Sequence, residues 1–148
     1  MVDHPQLALD EQLCFPLYAA TRAVTQRYGE LLADVGLTYP QYLALLALWE
    51  AGGPVTVGGL GQRLRLDSGT LTPLLKRLEA VGHVSRRRDP ADERRVLVEP
   101  TEQGWALRDR VAGVPERLLE GMGLSVEELV RLRRDLGTLL DGLDATAG

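Results

Sequence analysis

Residues 67–99 read DSGTLTPLLKRLEAVGHVSRRRDPADERRVLVE, and the fold follows from how this run divides. Asp67-Ser68 offers N-cap oxygens to a helix predicted over Ser68–Val81, which Gly82 closes. Leu71, Leu74, Leu75 and Leu78 recur at helical spacing and face a core, leaving Ser68, Thr70, Thr72, Lys76 and Arg77 as the outward set. Pro73 lies inside this helix and costs it a backbone hydrogen bond unless the first turn is bent or tight. Beyond Gly82, His83–Arg87 and Arg95–Glu99 read as short strands flanking a polar loop, Arg88–Arg94, and so as a β-hairpin.

Upstream, Val57–Leu64 reads as a short helix in spite of three glycines. Thr38-Tyr39-Pro40-Gln41 has the form of a capping box and opens a helix to Glu50, stopped by Gly52-Gly53-Pro54. A long first helix is expected from Leu9 to Asp34, with Leu13, Leu17, Ala20, Val24, Tyr28, Leu31 and Val35 as one buried stripe. Downstream, Thr101 caps a fifth helix carrying Leu107, Val111, Val114 and Leu118. Ser125-Val126-Glu127-Glu128 is a second capping box, opening a last helix whose Leu129, Leu132, Leu136, Leu139 and Leu143 have the spacing of a helix-packing seam. Helix, short helix, second short helix and hairpin is the order of a winged helix-turn-helix. The fold class predicted is mainly α with a small β-hairpin wing, one domain over 1–148, with residues 55–99 as the DNA-binding lobe.

Composition agrees with a globular chain: of 148 residues, 45% are hydrophobic and 26% charged. No stretch approaches the ~18–20 apolar residues of a membrane span, and the N-terminus has no signal-peptide pattern, so the cytoplasm is the expected address. One cysteine and two histidines argue against a disulfide framework or a zinc site, and neither a metal nor another cofactor is expected. The net charge of −4 is the wrong sign for a DNA binder, but its distribution is not uniform. Between Leu60 and Arg95 nine basic residues face five acids, so the lobe is +4 and the remainder −8. A basic face on an acidic body is compatible with phosphate binding, because the local field governs.

In a helix-turn-helix the second helix of the pair enters the major groove N-terminus first. Here it starts with small hydroxyl residues that can approach base edges, followed by Lys76 and Arg77, assigned mainly to phosphate. The wing carries Arg86, Arg87, Arg88, Arg94 and Arg95, of which Arg86, Arg88, Arg94 and Arg95 are the DNA-contact candidates. Arginine on a hairpin suits a narrow minor groove. Some of these arginines are expected to pair with Asp92 and Glu93, and Arg94 is expected to be free.

These residues, from Asp67 to Glu79 with Gly82 and then Asp92-Glu93-Arg94, resemble the MarR family of winged-helix regulators. Gln12-Leu13-Cys14-Phe15 with Leu17-Tyr18-Ala19, and Thr38 to Leu46, are similar to the organic hydroperoxide resistance regulators within it, of the one-cysteine type. The resemblance covers Leu9 to Gly104. It implies a homodimeric repressor, not an enzyme, whose terminal helices (9–34 and 101–143) form the dimer interface. The reduced dimer would bind palindromic operator DNA. An organic hydroperoxide would oxidise Cys14, releasing the operator and derepressing peroxide-detoxification genes. Tyr28 and Tyr39 fall where the family places tyrosines that bond to the cysteine. Two places depart from the pattern: Gly58-Gly59 replace polar helix formers, and Pro16 predicts a bend near Cys14.

A lone cysteine is by default a small buried hydrophobe. Against that, Phe15, Tyr18 and Tyr42 supply the apolar and aromatic lining an alkyl peroxide would need. The nucleophile is the thiolate, and tyrosine hydroxyls can donate to it without neutralising it. Cys14 and Tyr28 are fourteen residues apart, hence about 21 Å along a straight helix. They can meet only if two first helices pack antiparallel across a two-fold axis, which predicts a site shared between subunits. After oxidation to a sulfenic acid no second cysteine of the chain can resolve Cys14, so a low-molecular-weight thiol is the expected partner. The alternatives are a repressor responding to a noncovalent phenolic or lipophilic ligand, a one-cysteine thiol peroxidase and a nonspecific nucleoid binder.

Overall fold

The computed structural model describes residues 3–147. Two 3-10 turns, Pro5–Leu7 and Leu9–Glu11, precede helix α1 (Cys14–Leu31), and a third, Ala33–Val35, follows it. The first helix is therefore shorter than the expected 9–34, and Cys14 is its first residue. Pro16 is the third, where the missing N–H would have had no intrahelical acceptor, so the helix loses no hydrogen bond to it. Of the predicted stripe only Leu31 is buried, and Leu13 is 70% exposed. The first half of α1 is open to solvent in the single chain.

Gly36, at φ +67°, turns the chain toward α2 (Tyr39–Ala51). The predicted capping box is present: Gln41 N–H donates to the Thr38 hydroxyl at 3.4 Å and Thr38 N–H donates to Gln41 Oε1 at 3.0 Å. Next come a two-residue strand β1 (Val55–Thr56), which the sequence reading omitted, and α3 (Val57–Leu64). One glycine of α3 is structurally required, since a Cβ on Gly61 would lie 2.8 Å from the Leu66 carbonyl. Helix α4 (Ser68–Ala80) is capped by Asp67, whose carboxylate accepts the Thr70 N–H at 2.8 Å. Its first turn is tight, with Thr70 and Leu71 N–H both donating to the Asp67 carbonyl, and the helix continues through Pro73.

The hairpin consists of β2 (Val84–Asp89) and β3 (Asp92–Pro100), joined by Pro90 and Ala91 alone. The expected loop Arg88–Arg94 is thus mostly strand, with Arg87 opposite Leu97 and Arg88 opposite Val96. Cross-strand backbone pairing carries these charged residues into the ladder, and the side chains of Arg87 and Arg88 remain exposed to water. The sheet order is β1-β3-β2, all antiparallel. Leu45 and Leu48 of α2, Leu71, Leu75 and Leu78 of α4, and Val84 and Val98 of the hairpin are buried and form the core of this lobe. Burying each such side chain stabilises the fold by roughly 1.5–3 kcal/mol.

The expected fifth helix breaks in two, α5 (Glu102–Val111) and α6 (Val114–Glu120), with Ala112 and Gly113 between them. Helix α7 (Val126–Thr146) is capped by Ser125 with Glu128, as predicted. The chain forms two compact units, one ending at Val114 and one beginning at Pro115. In the second unit no residue of α7 is buried, and Val126, Val130, Leu132, Leu140 and Leu143 are exposed. Among the described residues no helix is long and apolar enough to cross a membrane.

Candidate functional site

Alternation along α4 separates its two faces cleanly. Leu71, Leu74, Leu75 and Leu78 are buried, while Ser68, Thr70, Lys76 and Arg77 are exposed and Thr72 is half-buried. The outward set read from the sequence is therefore the outward set of the folded lobe. Thr72 also lines a cleft of about 360 Å³ between the start of α3 and the wing, with Thr56, Val57 and Gly58 on one side and Arg86, Arg94, Arg95 and Val96 on the other. The sequence carried no signal for this cleft, because it depends on the wing folding back over α3.

The wing arginines are more committed than their sequence suggested. Arg86 donates from Nε (3.0 Å) and Nη2 (2.8 Å) to Glu79 of α4, and its backbone N–H reaches the same carboxylate at 3.1 Å. Those hydrogen bonds from the Arg86 side chain hold the Glu79 carboxyl below its ordinary pKa. Arg95 donates to the buried Asp89 at 2.9 Å, Arg88 to the Glu93 carbonyl at 2.7 Å, and Arg87 lies 3.6 Å from Glu99. Arg94, expected to be free, donates from Nε to Asp92 at 3.0 Å, which lowers the Asp92 pKa. The reason is the strand period of two, which puts residues 92 and 94 on one face. The Arg94 side chain is nonetheless 91% exposed, and an ion pair that wet is easily exchanged for a phosphate.

A second cluster lies where α1 meets α2. Tyr28, near the end of α1, stacks on Tyr39, the first residue of α2, with ring centroids 4.0 Å apart and planes within 6°. Tyr42, one turn further and 1% exposed, packs against Tyr28 at 5.5 Å. Burial, with the neighbouring Tyr39 and Tyr42, pushes the Tyr28 phenol up to about 12, and burial raises Tyr39 and Tyr42 as well. All three are therefore neutral O–H groups at physiological pH, able to donate to an anion.

Cys14 does not join them within the chain. Its thiol is free and exposed in the single chain, at the opposite end of α1 from Tyr28. Phe15 and Tyr18 stand exposed beside it, at 45% and 64%, and Arg22 lies over the Tyr18 ring at 5.7 Å. The predicted lining of Phe15, Tyr18 and Tyr42 is thus split in one chain: two members accompany the cysteine and the third is buried with Tyr28. No group of three or more candidate metal ligands occurs among the described residues.

The family described as transcriptional regulator SarA/Rot matches residues 26–111. The chain is 47% identical over 141 residues to the organic hydroperoxide resistance transcriptional regulator of Bacillus subtilis, covering 95% of this chain and 94% of that one. It is 49% identical over 146 residues to the HTH-type transcriptional regulator TtmR of Methylorubrum extorquens, covering 99% of this chain and 74% of that one. Among solved structures it resembles reduced AbfR bound to DNA, with a TM-score of 0.84 at 33% identity over 99% of this chain and 100% of that one.

Proposed function

The chain belongs to the MarR family of winged-helix transcriptional regulators, within its organic hydroperoxide resistance group, and on that premise we propose that it is a peroxide-responsive repressor. It acts as a homodimer on palindromic operator DNA in the cytoplasm, as a regulator rather than an enzyme. In each half-site α4 reads the major groove through Ser68, Thr70 and Thr72, while Lys76 and Arg77 hold phosphates. Arg88, Arg94 and Arg95 of the wing contact the DNA beside it.

The observation that carries the sensing half is the separation of Cys14 from the stacked tyrosines. Fourteen residues of unbroken helix place them about 21 Å apart along the axis. An antiparallel pair of α1 helices brings Cys14 of one protomer to Tyr28 of the partner subunit and Tyr39 of the partner subunit. The same pairing covers the exposed Leu13, Phe15 and Tyr18, an apolar patch of the kind that marks an interface. Residues 9–34 and 101–143 supply that dimer contact.

The chemistry balances with one thiol. The Cys14 thiolate attacks a peroxide oxygen, forming an S–O bond as the O–O bond breaks. The alkoxide leaves and takes up a proton as the alcohol, and the sulfur is oxidised to a sulfenic acid. A low-molecular-weight thiol then displaces water to give a mixed disulfide, since the chain has no second cysteine. Bulk at Cys14 is carried into the relative placement of the two DNA-reading lobes, a two-state element that oxidation biases. The test is operator binding with and without cumene hydroperoxide, using wild type and Cys14→Ser. The variant binds DNA and ignores the peroxide under this reading. A normal response from it supports a noncovalent phenolic or lipophilic inducer instead.

A further inference from the structure

Glu79 is an acid on the DNA-reading helix, where two fields oppose it. It lies in the last turn of α4, near the negative end of the helix dipole, and on a lobe meant to approach phosphates. Its partners account for its presence. One carboxylate takes three donors from a single residue, the Arg86 N–H, Nε and Nη2, at 3.1, 3.0 and 2.8 Å. Both side chains are partly sheltered, Arg86 at 22% and Glu79 at 37% exposure.

The position of Arg86 decides what this contact does. In the order β1-β3-β2, strand β2 has one edge with no strand beside it. Glu79 accepts the Arg86 N–H, satisfying a backbone donor that pairing with β3 leaves over. Arg86 sits opposite the fully buried Val98, at the base of the wing. From there the strand runs four residues to the Pro90–Ala91 turn, about 13 Å at ~3.3 Å per residue. A 10° swing at the base moves the wing tip by roughly 2 Å, against a minor groove ~6 Å wide.

We propose that Glu79 is a positioning residue for DNA binding, which sets the angle of the wing on the recognition helix by clamping the backbone and guanidinium of Arg86. Arg86 is then an anchor and not a DNA contact. This rests on the operator-binding reading above.

The experiment measures the affinity of full-length dimer for duplex DNA selected from a random pool by the wild-type protein, over a range of salt. Glu79→Gln keeps the shape and loses the charge. The clamp predicts about tenfold or greater loss of affinity with the salt slope unchanged, while Lys76→Ala, a phosphate-contact control, lowers that slope by about one ion. In hydroxyl-radical footprints the variant loses protection at the wing and keeps it where α4 lies. If Glu79 is only an acid near DNA, removing it relieves repulsion and affinity rises, which overturns the proposal; so does a slope changed by one ion or more. Glu79→Asp, which keeps the charge but not the reach, must also weaken binding, and it decides the matter if the Gln variant does not fold. Wild type that selects no sequence overturns the operator reading itself.

Discussion

Mixed dimers offer a direct test of where the sensing site is assembled. The perturbation is a pair of variants, Cys14→Ser and Tyr28→Phe, co-refolded with different tags and purified as the heterodimer. On α1 (Cys14–Leu31) the two positions lie about 21 Å apart along the axis, far outside the ~3 Å of a hydrogen bond. The heterodimer has a single thiol, on the chain that carries the Tyr28→Phe substitution. If the site is shared, that thiol faces an intact Tyr28 of the partner subunit. A hydrogen bond to a charged group contributes ~1.5–3 kcal/mol, so losing the tyrosine disfavours the thiolate and slows oxidation of Cys14 by up to about 10- to 150-fold. The Tyr28→Phe homodimer should therefore react slowly, and the heterodimer's one thiol at the wild-type rate. Dimedone trapping followed by intact-mass measurement gives the rate per thiol. A heterodimer as slow as the Tyr28→Phe homodimer refutes the shared-site argument.

Arg94→Ala removes a wing arginine whose side chain is 91% exposed and should weaken operator binding while lowering the salt slope by about one, read by titration at several salt concentrations. Gly104→Ala pushes a methyl into the His83 carbonyl, an overpacking expected to cost about 1–3 kcal/mol, seen as a fall in Tm of several degrees on thermal melting. Trp49→Phe deletes the buried 3.1 Å hydrogen bond from Trp49 Nε1 to the Gly104 carbonyl, which keeps its partner within α5, so the lost bond costs ~0.5–1.5 kcal/mol, measurable by urea unfolding. His83 is buried with an unpartnered Nδ1, and burial, with Arg110 nearby, lowers its pKa below 6.5. The unfolded chain therefore binds the proton first: stability is full above about pH 6.5 and declines as pH falls from there toward the folded value. A His83→Gln variant should flatten that part of the stability profile; an unchanged slope would mean another group is responsible.

Much of the fold was readable because its signals are local. The capping boxes at Thr38 and Ser125 and the four-leucine stripe of α4 involve residues three or four apart, and each appears as read. Local signals failed where pairing or exposure was decided elsewhere. The run Arg88–Arg94 looked like a loop by polarity, yet backbone pairing makes it two strand ends around a two-residue turn. The stripe of α1 looked buried by its period, yet the chain alone does not cover it. Arg94 looked free because residues 92 and 94 share a face only when that run is strand, and by polarity it reads as loop.

The sequence by itself determined the chemistry available: one thiol, the tyrosines, a helix face of small hydroxyls backed by leucine, and a wing rich in arginine. These depend on residue type and on periods of two and 3.6, which any chain displays along its length. Only the tertiary structure decided how those groups are committed. It spent Arg86 on Glu79 and Arg95 on Asp89, stacked Tyr28 on Tyr39, and set Cys14 at the far end of α1 from both. Such pairings depend on angles between elements, and those follow from packing across the core rather than from any local run of residues.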